Sequence, residues 1–294
     1  MNFFLELTIN GLLTGGLYAL VALGIVLVFK ATEVVSIAHG QFLVFGAVFF
    51  WVFYVGAGFP LWLSLLLALA SGALLGFLTE RLWLRPLIGQ PLFSSFLMTF
   101  GIFMFLDGIL QLILKGKTWG LPSFLATGTI TVGDIKLFVG DLMSFAICLA
   151  VFLITMIIFR YTKFGLGMRA TAESHQLAQS VGINVRVIFS LVWIISAMIA
   201  VVAGITAARV MDIHFPLPWL IVKGLVVAMV GGLDSLPGAL AAGLVLGVLE
   251  NEAAGYLDPI VGGGIKEVAA YVVLLFILLV RPQGLFGLIR IKRV

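Results

Sequence analysis

The sequence has few charged residues and a large excess of apolar ones. Only 10% of its 294 residues are charged, whereas a soluble domain usually carries about 25%. Because 62% of the residues are apolar, the polar residues are too few to cover a surface that faces water. The composition therefore excludes an ordinary soluble domain and predicts a protein that lies in lipid.

Residue clusters that carry chemistry are also missing. The one cysteine, Cys148, cannot form an internal disulfide, and it gives no information about the compartment. The histidines are dispersed and have no spacing typical of a zinc site: His39, His175 and His214. No serine has the sequence context of a nucleophile elbow. We therefore expect no metal site, no catalytic residue and no enzymatic activity in this chain.

Three further features have simple explanations. Gly116-Lys117-Thr118 resembles the end of a phosphate-binding loop, but Gln111 occupies the position where that motif needs a glycine. No basic residue precedes the first apolar run, so we predict no cleaved signal peptide. The net charge of +4 is typical of basic loops that orient a membrane protein. It does not indicate a nucleic-acid partner.

Long apolar runs are abundant. A helix needs about 20 apolar residues to cross about 30 Å of hydrocarbon. The candidate runs are 10–29, 34–58, 60–79, 91–114, 137–159, 187–208, 218–233, 237–257 and about 260–280. They predict an all-α, polytopic transmembrane helical bundle of eight or nine spans, forming one domain over residues 1–294. One or more segments are expected to be broken or re-entrant, with 34–58 and 237–257 as the candidates.

The basic residues favour one side of the membrane. With the N-terminus outside and nine crossings, eleven of the 17 basic residues fall inside and five outside. The inside set is Lys30, Arg81, Arg85, Arg160, Lys163, Arg169, Arg186, Arg281, Arg290, Lys292 and Arg293. This bias predicts an external N-terminus and a cytoplasmic C-terminus.

Two loops are long enough to have structure of their own. Residues 115–136 combine turn residues with alternating β-branched residues, which predicts a short external hairpin. Residues 160–186 predict a short amphipathic helix on the inner side, with Arg169 and Glu173 four residues apart and Gly182 as a left-handed cap. This helix either rests in the membrane interface or presses into a groove of a partner and transmits motion.

Polar residues interrupt two of the apolar runs. Ser36, His39 and Gln41 lie early in the second run, and side chains of this kind at membrane depth normally face other helices or a wet cavity. His39 either lines a solute path or ties two helices together by a hydrogen bond. A second break spans 230–238, and Glu250 to Glu252 end the run that follows. Paired breaks of this kind are typical of a translocation site.

Isolated charges and glycines within the runs have structural interpretations. Interhelical pairing or snorkelling explains the charges Asp107, Asp141 and Lys223. The 34 glycines include sets spaced three to five residues apart, which allow close helix packing. These sets are Gly11, Gly15 and Gly16; Gly72 and Gly76; and Gly238, Gly243 and Gly247.

The inner loop identifies a family. Residues 164–184 resemble the cytoplasmic coupling segment of binding-protein-dependent ABC permeases of the branched-chain amino acid class. Four more stretches fit the same family in the same order: 16–24, 37–47, 231–251 and 281–287. The length of the chain is similar to that of the shorter of the two permeases in such systems.

The resemblance implies a permease subunit of an ATP-driven importer in a bacterial inner membrane. Its partners would be a second related permease subunit forming a heterodimer, two cytoplasmic ATPase subunits that bind ATP and Mg, and an external solute-binding protein. The expected solute is a branched-chain or other hydrophobic amino acid. Because Ser36 and Gln41 depart from the family pattern, urea or a short amide is the alternative solute. A secondary transporter or channel is the rival class.

The resemblance also implies site residues. The residues expected along the solute pathway are Tyr18, Ser36, His39, Gly40, Gln41, Ser235, Glu250 and Asn251. Those expected to couple the chain to the ATPases are Arg169, Ala170, Glu173, Gln176, Leu177, Gly182, Ile183 and Asn184.

Overall fold

The computed structural model describes residues 2–132 and 135–287, and most of them are helical. The helices are α1 (Asn2–Thr32), α2 (His39–Trp51), α3 (Leu61–Leu78), α4 (Leu92–Leu114), α5 (Val139–Tyr161), α6 (Lys163–Glu173), α7 (His175–Ser180), α8 (Val185–Met211), α9 (Leu220–Gly231), α10 (Leu236–Val261) and α11 (Ile265–Val280). A π-helix continues α2 over Val52–Gly56, and another continues α3 over Thr79–Leu84. The strands are β1 (Thr129–Val132) and β2 (Ile135–Phe138).

Seven helices of the described chain are long and apolar enough to cross a membrane. They are Asn2–Thr32, His39–Gly56, Leu61–Leu87, Leu92–Leu114, Val139–Tyr161, Val185–Met211 and Leu236–Val261. The prediction of a polytopic helical membrane protein is therefore confirmed. The last predicted runs, 218–233 and 260–280, coincide with shorter helices, Leu217–Gly231 and α11. The count of eight or nine spans stays a prediction.

Both predicted breaks are present as non-helical segments. Helix α1 ends in a left-handed residue, Glu33 (φ 58°), whose N–H donates to the Phe29 carbonyl at 2.7 Å, and helix begins again only at His39. At the second break, Gly232 is also left-handed (φ 102°). The Ser235 hydroxyl then accepts the Gly238 N–H at 3.1 Å and caps α10. Each break in the helix therefore has a local cause in a left-handed residue or a cap.

The loop over residues 160–186 contains two helices, α6 and α7, so the prediction of a single helix there is wrong. The backbone of Ser174 is extended, and its hydroxyl accepts the Leu177 N–H at 3.3 Å. Because serine at an N-cap stabilises a new helix start, Ser174 separates α6 from α7. The left-handed conformation of Gly182 (φ 85°) is confirmed.

The predicted hairpin is also present. Strands β1 and β2 pair antiparallel, with Thr129 opposite Phe138. The turn, residues 133–134, lies outside the described residues, as do Arg290, Lys292 and Arg293 from the charge count.

The chain divides into two compact units. Unit 1 comprises Met1–Val26, Leu125–Phe152 and Val222–Val294. Within it, glycines bring α1 and α10 into backbone contact: a Cβ added at Gly11 would lie 2.6 Å from Val248 Cα, and one at Gly15 would lie 2.6 Å from the Gly243 carbonyl oxygen. The prediction of close glycine packing is confirmed here.

Unit 2 comprises Leu27–Phe124 and Leu153–Ile221. Within it, α2 and α3 both pack on α8, with Gly46 and Gly72 facing Val201 and Gly76 facing Ala197. Its largest buried side chains include Trp193, Phe42 and Phe50.

The two ends of unit 2 collect different loops. At one end, Thr32, Arg85 and His175 line a common cavity. At the other end, Trp51 stacks on Trp119 at 4.3 Å, and Trp119 pairs with Ile213 through backbone hydrogen bonds. Helix α2 and its π-helical continuation therefore run from one end of the unit to the other, and α3 returns. His39–Gly56 is one of the seven candidate spans, and the possible re-entry of 34–58 stays a prediction.

Candidate functional site

Three buried polar side chains lie close together in sequence at the first break in unit 2. Ser36, His39 and Gln41 are only 1%, 2% and 0% exposed. Each has one polar atom without a hydrogen-bond partner in the described part of the chain: Ser36 Oγ, His39 Nδ1 and Gln41 Oε1. Buried polar atoms are nearly always paired, so this group, the polar cluster, has unused hydrogen-bonding capacity.

The remaining atoms of the polar cluster are held firmly. His39 Nε2 is hydrogen-bonded to the Ser196 hydroxyl, and its ring lies 5.3 Å from that of Trp193. Gln41 Nε2 donates to Asp107 Oδ1 at 2.9 Å. The interhelical hydrogen bond expected as one role of His39 is thus present, and so is the expected pairing of Asp107. Neither bond uses the unpaired atoms, so His39 and Gln41 are held in position while one polar atom of each has no partner in the described residues.

Gly40 follows His39 and permits a close backbone contact. An added Cβ would lie 3.0 Å from Ile221 Cβ and closer still to the Pro218 carbonyl oxygen. This position therefore serves helix packing beside the polar cluster.

A different polar group lies in unit 1. Lys223 Nζ is 2.7 Å from Glu250 Oε1, and the Tyr18 hydroxyl donates to Glu250 Oε2 at 2.9 Å. Glu250 is completely buried. Lys223 also donates to the Lys266 carbonyl at 3.2 Å and lies 3.6 Å from Glu267. We call this ion pair and its tyrosine the inner brace.

The inner brace changes two interpretations of the sequence. Glu250 was expected to end its run, but it lies in the middle of α10, because Lys223 neutralises the carboxylate. Tyr18 and Glu250, both expected along the pathway, are brought together with their polar atoms already engaged. Interhelical pairing of Lys223, one of its expected roles, is confirmed, although its partner Glu250 was not predicted.

The other two expected pathway residues in unit 1 serve their own helix. The Ser235 hydroxyl caps α10, and Asn251 Nδ2 donates to the Gly247 carbonyl one turn earlier, at 3.0 Å.

A third polar group in unit 2 was missed by sequence reasoning. Glu80, 1% exposed, accepts two hydrogen bonds from Arg85, Nε to Oε1 at 3.0 Å and Nη2 to Oε2 at 2.9 Å. The Ser190 hydroxyl also donates to Oε2, at 2.7 Å. A spacing of five residues does not suit an α-helix, but the π-helix over Thr79–Leu84 follows an i to i+5 pattern. Arg85 was counted only among the basic residues of the inner side, and Glu80 was given no role.

The coupling segment divides into an inner and an outer face. Ala170 and Ile183 pack against a small core of Ala178, Val185 and Phe189. Arg169 donates to the Phe159 carbonyl, and Asn184 caps α8. The exposed residues among those expected to couple the chain to ATPases are Glu173, Gln176, Leu177, Gly182 and Asn184. Two exposed apolar side chains lie in this part of the segment: Leu177 is 67% exposed and Val181 is 73% exposed.

Comparison with known proteins shows which family the chain matches. A family model described as "Branched-chain amino acid transport system / permease component" matches residues 7–281. The high-affinity branched-chain amino acid transport system permease protein LivH of Salmonella typhimurium is 29% identical over 99% of this chain and 98% of its own length. BraD of Pseudomonas aeruginosa, which has the same description, is 28% identical over the same shares.

The name of a more distant relative mentions a different solute. The galactofuranose transporter permease protein YtfT of Escherichia coli is 27% identical over 80% of this chain and 68% of its own length. Because the family model covers almost the whole sequence, together with seven candidate spans, the chain is a multi-pass membrane protein that belongs to the family of branched-chain amino acid transport system permease components.

Proposed function

We propose that this chain is a permease subunit of an ATP-driven importer that moves branched-chain or other hydrophobic amino acids across a bacterial inner membrane. Residues 1–294 act as one permease domain in this proposal. Support comes from the family match over residues 7–281 and from the names of the relatives LivH and BraD.

The observation that carries the proposal is the polar cluster. Ser36, His39 and Gln41 present unpaired polar atoms at a helix break, inside a chain that is otherwise apolar. An unpaired buried polar group costs about 1–3 kcal/mol, so a solute that hydrogen-bonds to these atoms would recover part of that cost. We propose that these atoms hydrogen-bond to the polar part of the solute as it passes.

Energy enters from partners in this proposal. A second related permease subunit completes a heterodimer, two cytoplasmic ATPase subunits bind ATP and Mg, and an external protein delivers the solute. Leu177 and Val181, exposed and apolar on a loop, fit a groove on an ATPase. The buried residues Ala170 and Ile183 attach this segment to α8, so a push on α7 reaches the membrane helices.

The proposed orientation keeps the N-terminus outside and the C-terminus cytoplasmic, with eight or nine spans. It is supported by the gathering of Thr32, Arg85 and His175 at one end of unit 2, because the basic loops predicted on the inner side would then share that end.

Transport by purified components tests the proposal. We expect radiolabelled leucine to enter proteoliposomes only when the chain is reconstituted with its partner permease, its ATPases, binding protein and ATP. Uptake should stop when the ATPase subunits are replaced by variants that bind ATP without hydrolysing it. Leucine uptake by this chain alone, without ATP, would instead identify a secondary transporter or channel.

Two buried serines provide a matched test of the polar cluster. Ser36 Oγ has no partner in the described residues, whereas Ser64 Oγ donates to the Phe59 and Pro60 carbonyls at 3.3 and 3.1 Å. We expect Ser36→Ala to slow solute uptake with little effect on the stability of the protein. Ser64→Ala should leave uptake unchanged. Equal transport by both variants would remove Ser36 from the pathway.

The solute itself needs a panel of competitors. Branched-chain amino acids are the first choice, and urea or short amides are the alternative. The relative YtfT, described as a galactofuranose transporter permease, favours including polar non-amino-acid solutes. The solute class is assigned by which unlabelled compounds stop leucine uptake, and inhibition by an amide alone would overturn the amino-acid proposal.

A further inference from the structure

The end of α5 combines exposed apolar side chains with basic ones. Val139–Tyr161 is one of the seven candidate spans, and a helix that crosses the bilayer ends where hydrocarbon gives way to lipid headgroups. Near that end Ile154 and Ile157 are 55% and 56% exposed, and their spacing of three residues places them on one face of the helix. We define the α5–α6 corner as Ile154, Ile157, Arg160, Tyr161, Lys163 and Leu166.

A sharp turn fixes the start of α6 against the end of α5. The backbone of Thr162 is extended (φ −98°, ψ 158°), and its hydroxyl accepts the Gly165 N–H at 3.1 Å, which caps α6. Gly165 lies so close to the Phe159 carbonyl that an added Cβ would clash with it. Arg169 donates to the same carbonyl, and its guanidinium lies 5.5 Å from the centroid of the Phe159 ring.

Two basic side chains of the α5–α6 corner have no acidic partner. The Arg160 guanidinium lies over the Tyr161 ring, 5.5 Å from its centroid. Neither this group nor the Lys163 ammonium has a hydrogen bond or an ion pair among residues 2–132 and 135–287. Residues 160–172 contain three basic residues and no acidic one. The corner therefore carries positive charge that its own neighbours in sequence do not compensate.

The exposed aromatic and apolar side chains of the corner suit a membrane surface. Tyr161 and Leu166 are 74% and 59% exposed, and Leu166 follows Lys163 by three residues on the same face of α6. Tyrosine is enriched at the level of the lipid headgroups. Short helices that present basic and apolar residues lie in the interface and are attracted to anionic lipids. The order along the corner, apolar and then basic, is that of an acyl chain and its phosphate.

We propose that the α5–α6 corner binds an anionic phospholipid, with its phosphate between Arg160 and Lys163 and its acyl chains along Ile154 and Ile157. The charge selects an anionic lipid over a zwitterionic one, because the corner has no carboxylate to pair with an ammonium group. Continuity with a candidate span selects a lipid over a protein partner. The bound lipid would hold α6, the first helix of the coupling segment, at the membrane surface.

Lipid binding by the purified chain tests the proposal. The chain in a non-ionic detergent is titrated with phosphatidylglycerol or with phosphatidylcholine, and the retained lipids are counted by native mass spectrometry. We expect one phosphatidylglycerol molecule to bind saturably and more tightly than phosphatidylcholine. Because salt screens exposed charges, the affinity for phosphatidylglycerol should fall as the concentration of ammonium acetate rises.

Three exposed basic residues of the same loop supply matched variants. Arg160→Gln and Lys163→Gln should each weaken phosphatidylglycerol binding about fivefold, the equivalent of about 1 kcal/mol for one basic residue at an anionic surface. Arg186→Gln removes the same charge from an exposed position outside the corner and should leave the affinity unchanged. Arg160→Lys and Lys163→Arg keep the charge and should retain binding.

Equal binding of the two lipids would overturn the proposal. An equal loss of affinity in Arg186→Gln and Arg160→Gln would also do so, because it would report the net charge of the loop and not a site. A third contrary result is unchanged lipid binding in both corner variants together with weaker binding of the ATPase subunits, which would make the corner a protein contact. None of these measurements involves solute uptake, so the transport proposal would stand.

Discussion

The inner brace allows a quantitative prediction about stability. Across 2.7 Å, the attraction between Lys223 and Glu250 is about 6 kcal/mol at an effective dielectric constant of about 20. Removal of one partner of a buried pair costs about 3–5 kcal/mol, because the other charge remains buried. The two single variants should differ within that range, since the partners that remain are different.

Lys223→Met should be the more destabilising change. It leaves the fully buried Glu250 carboxylate with only the Tyr18 hydroxyl, so we expect the upper end of the range, about 5 kcal/mol. Glu250→Gln leaves the Lys223 ammonium with the Lys266 carbonyl and the exposed carboxylate of Glu267. The expected cost is therefore near the lower end, about 3 kcal/mol.

The double variant separates the pair from its parts. In Lys223→Met with Glu250→Gln no charge stays buried, so most of the lost stability should return. The free energy of unfolding is measured by titration of SDS into mixed micelles, with Glu267→Gln as control. That carboxylate is 75% exposed, and its loss should cost less than about 1 kcal/mol. Additive single effects in the double variant, or a larger loss for Glu250→Gln, would refute the reasoning.

Three further predictions concern packing, the third polar group and coupling. Gly15→Ala should lower the free energy of unfolding by about 1–3 kcal/mol, because its Cβ would meet a backbone carbonyl of α10. Gly108 has open space around it, so Gly108→Ala should cost nothing. Equal effects of the two variants would contradict close packing at Gly15. Arg85→Lys loses the bidentate hydrogen bonding to the buried carboxylate of Glu80, and we expect the free energy of unfolding to fall by about 1.5–3 kcal/mol. Arg81→Lys is the exposed control in the same SDS titration. Glu173→Pro should disrupt the last turn of α6 and raise the number of ATP molecules hydrolysed per solute imported, at a normal level in the membrane. Normal coupling in that variant would argue against a role for this segment.

The spans could be predicted from the sequence because span length is a local property. Apolar length alone placed the seven long helices, and Pro60 and Pro91 marked two helix starts that the structure has as N-caps. The runs at 218–233 and 260–280 also exist as apolar helices, but Leu217–Gly231 and Ile265–Val280 are shorter than the predicted runs. Hydropathy does not reveal such shortening, because turn residues such as Gly262 add little polarity to a window.

Partners and local helix type were harder to predict. The sequence showed that Lys223 and Glu250 were charges in apolar runs, yet 27 positions separate them, and no local rule pairs them. Glu80 and Arg85 were missed because their pairing depends on a π-helical turn. The break at Ser174 was detectable, since a serine before a new helical turn is a cap signal, but the apolar spacing of Ala170, Leu177 and Val181 favoured one continuous helix.

The buried polar groups are of two kinds, which differ in whether all of their polar atoms have a hydrogen-bond partner. Glu250 and Glu80 have each of their oxygens engaged by a protein donor, so a passing solute would have to break those bonds, at a cost, before it could bind. Ser36, His39 and Gln41 each keep one polar atom without a partner in the described residues, while other bonds hold two of the three side chains. The family resemblance implied that Tyr18, Glu250 and His39 all belong to one solute pathway. Saturation of the bonds argues that the former two hold helices together, and it leaves the polar cluster as the group on which the proposed solute pathway depends.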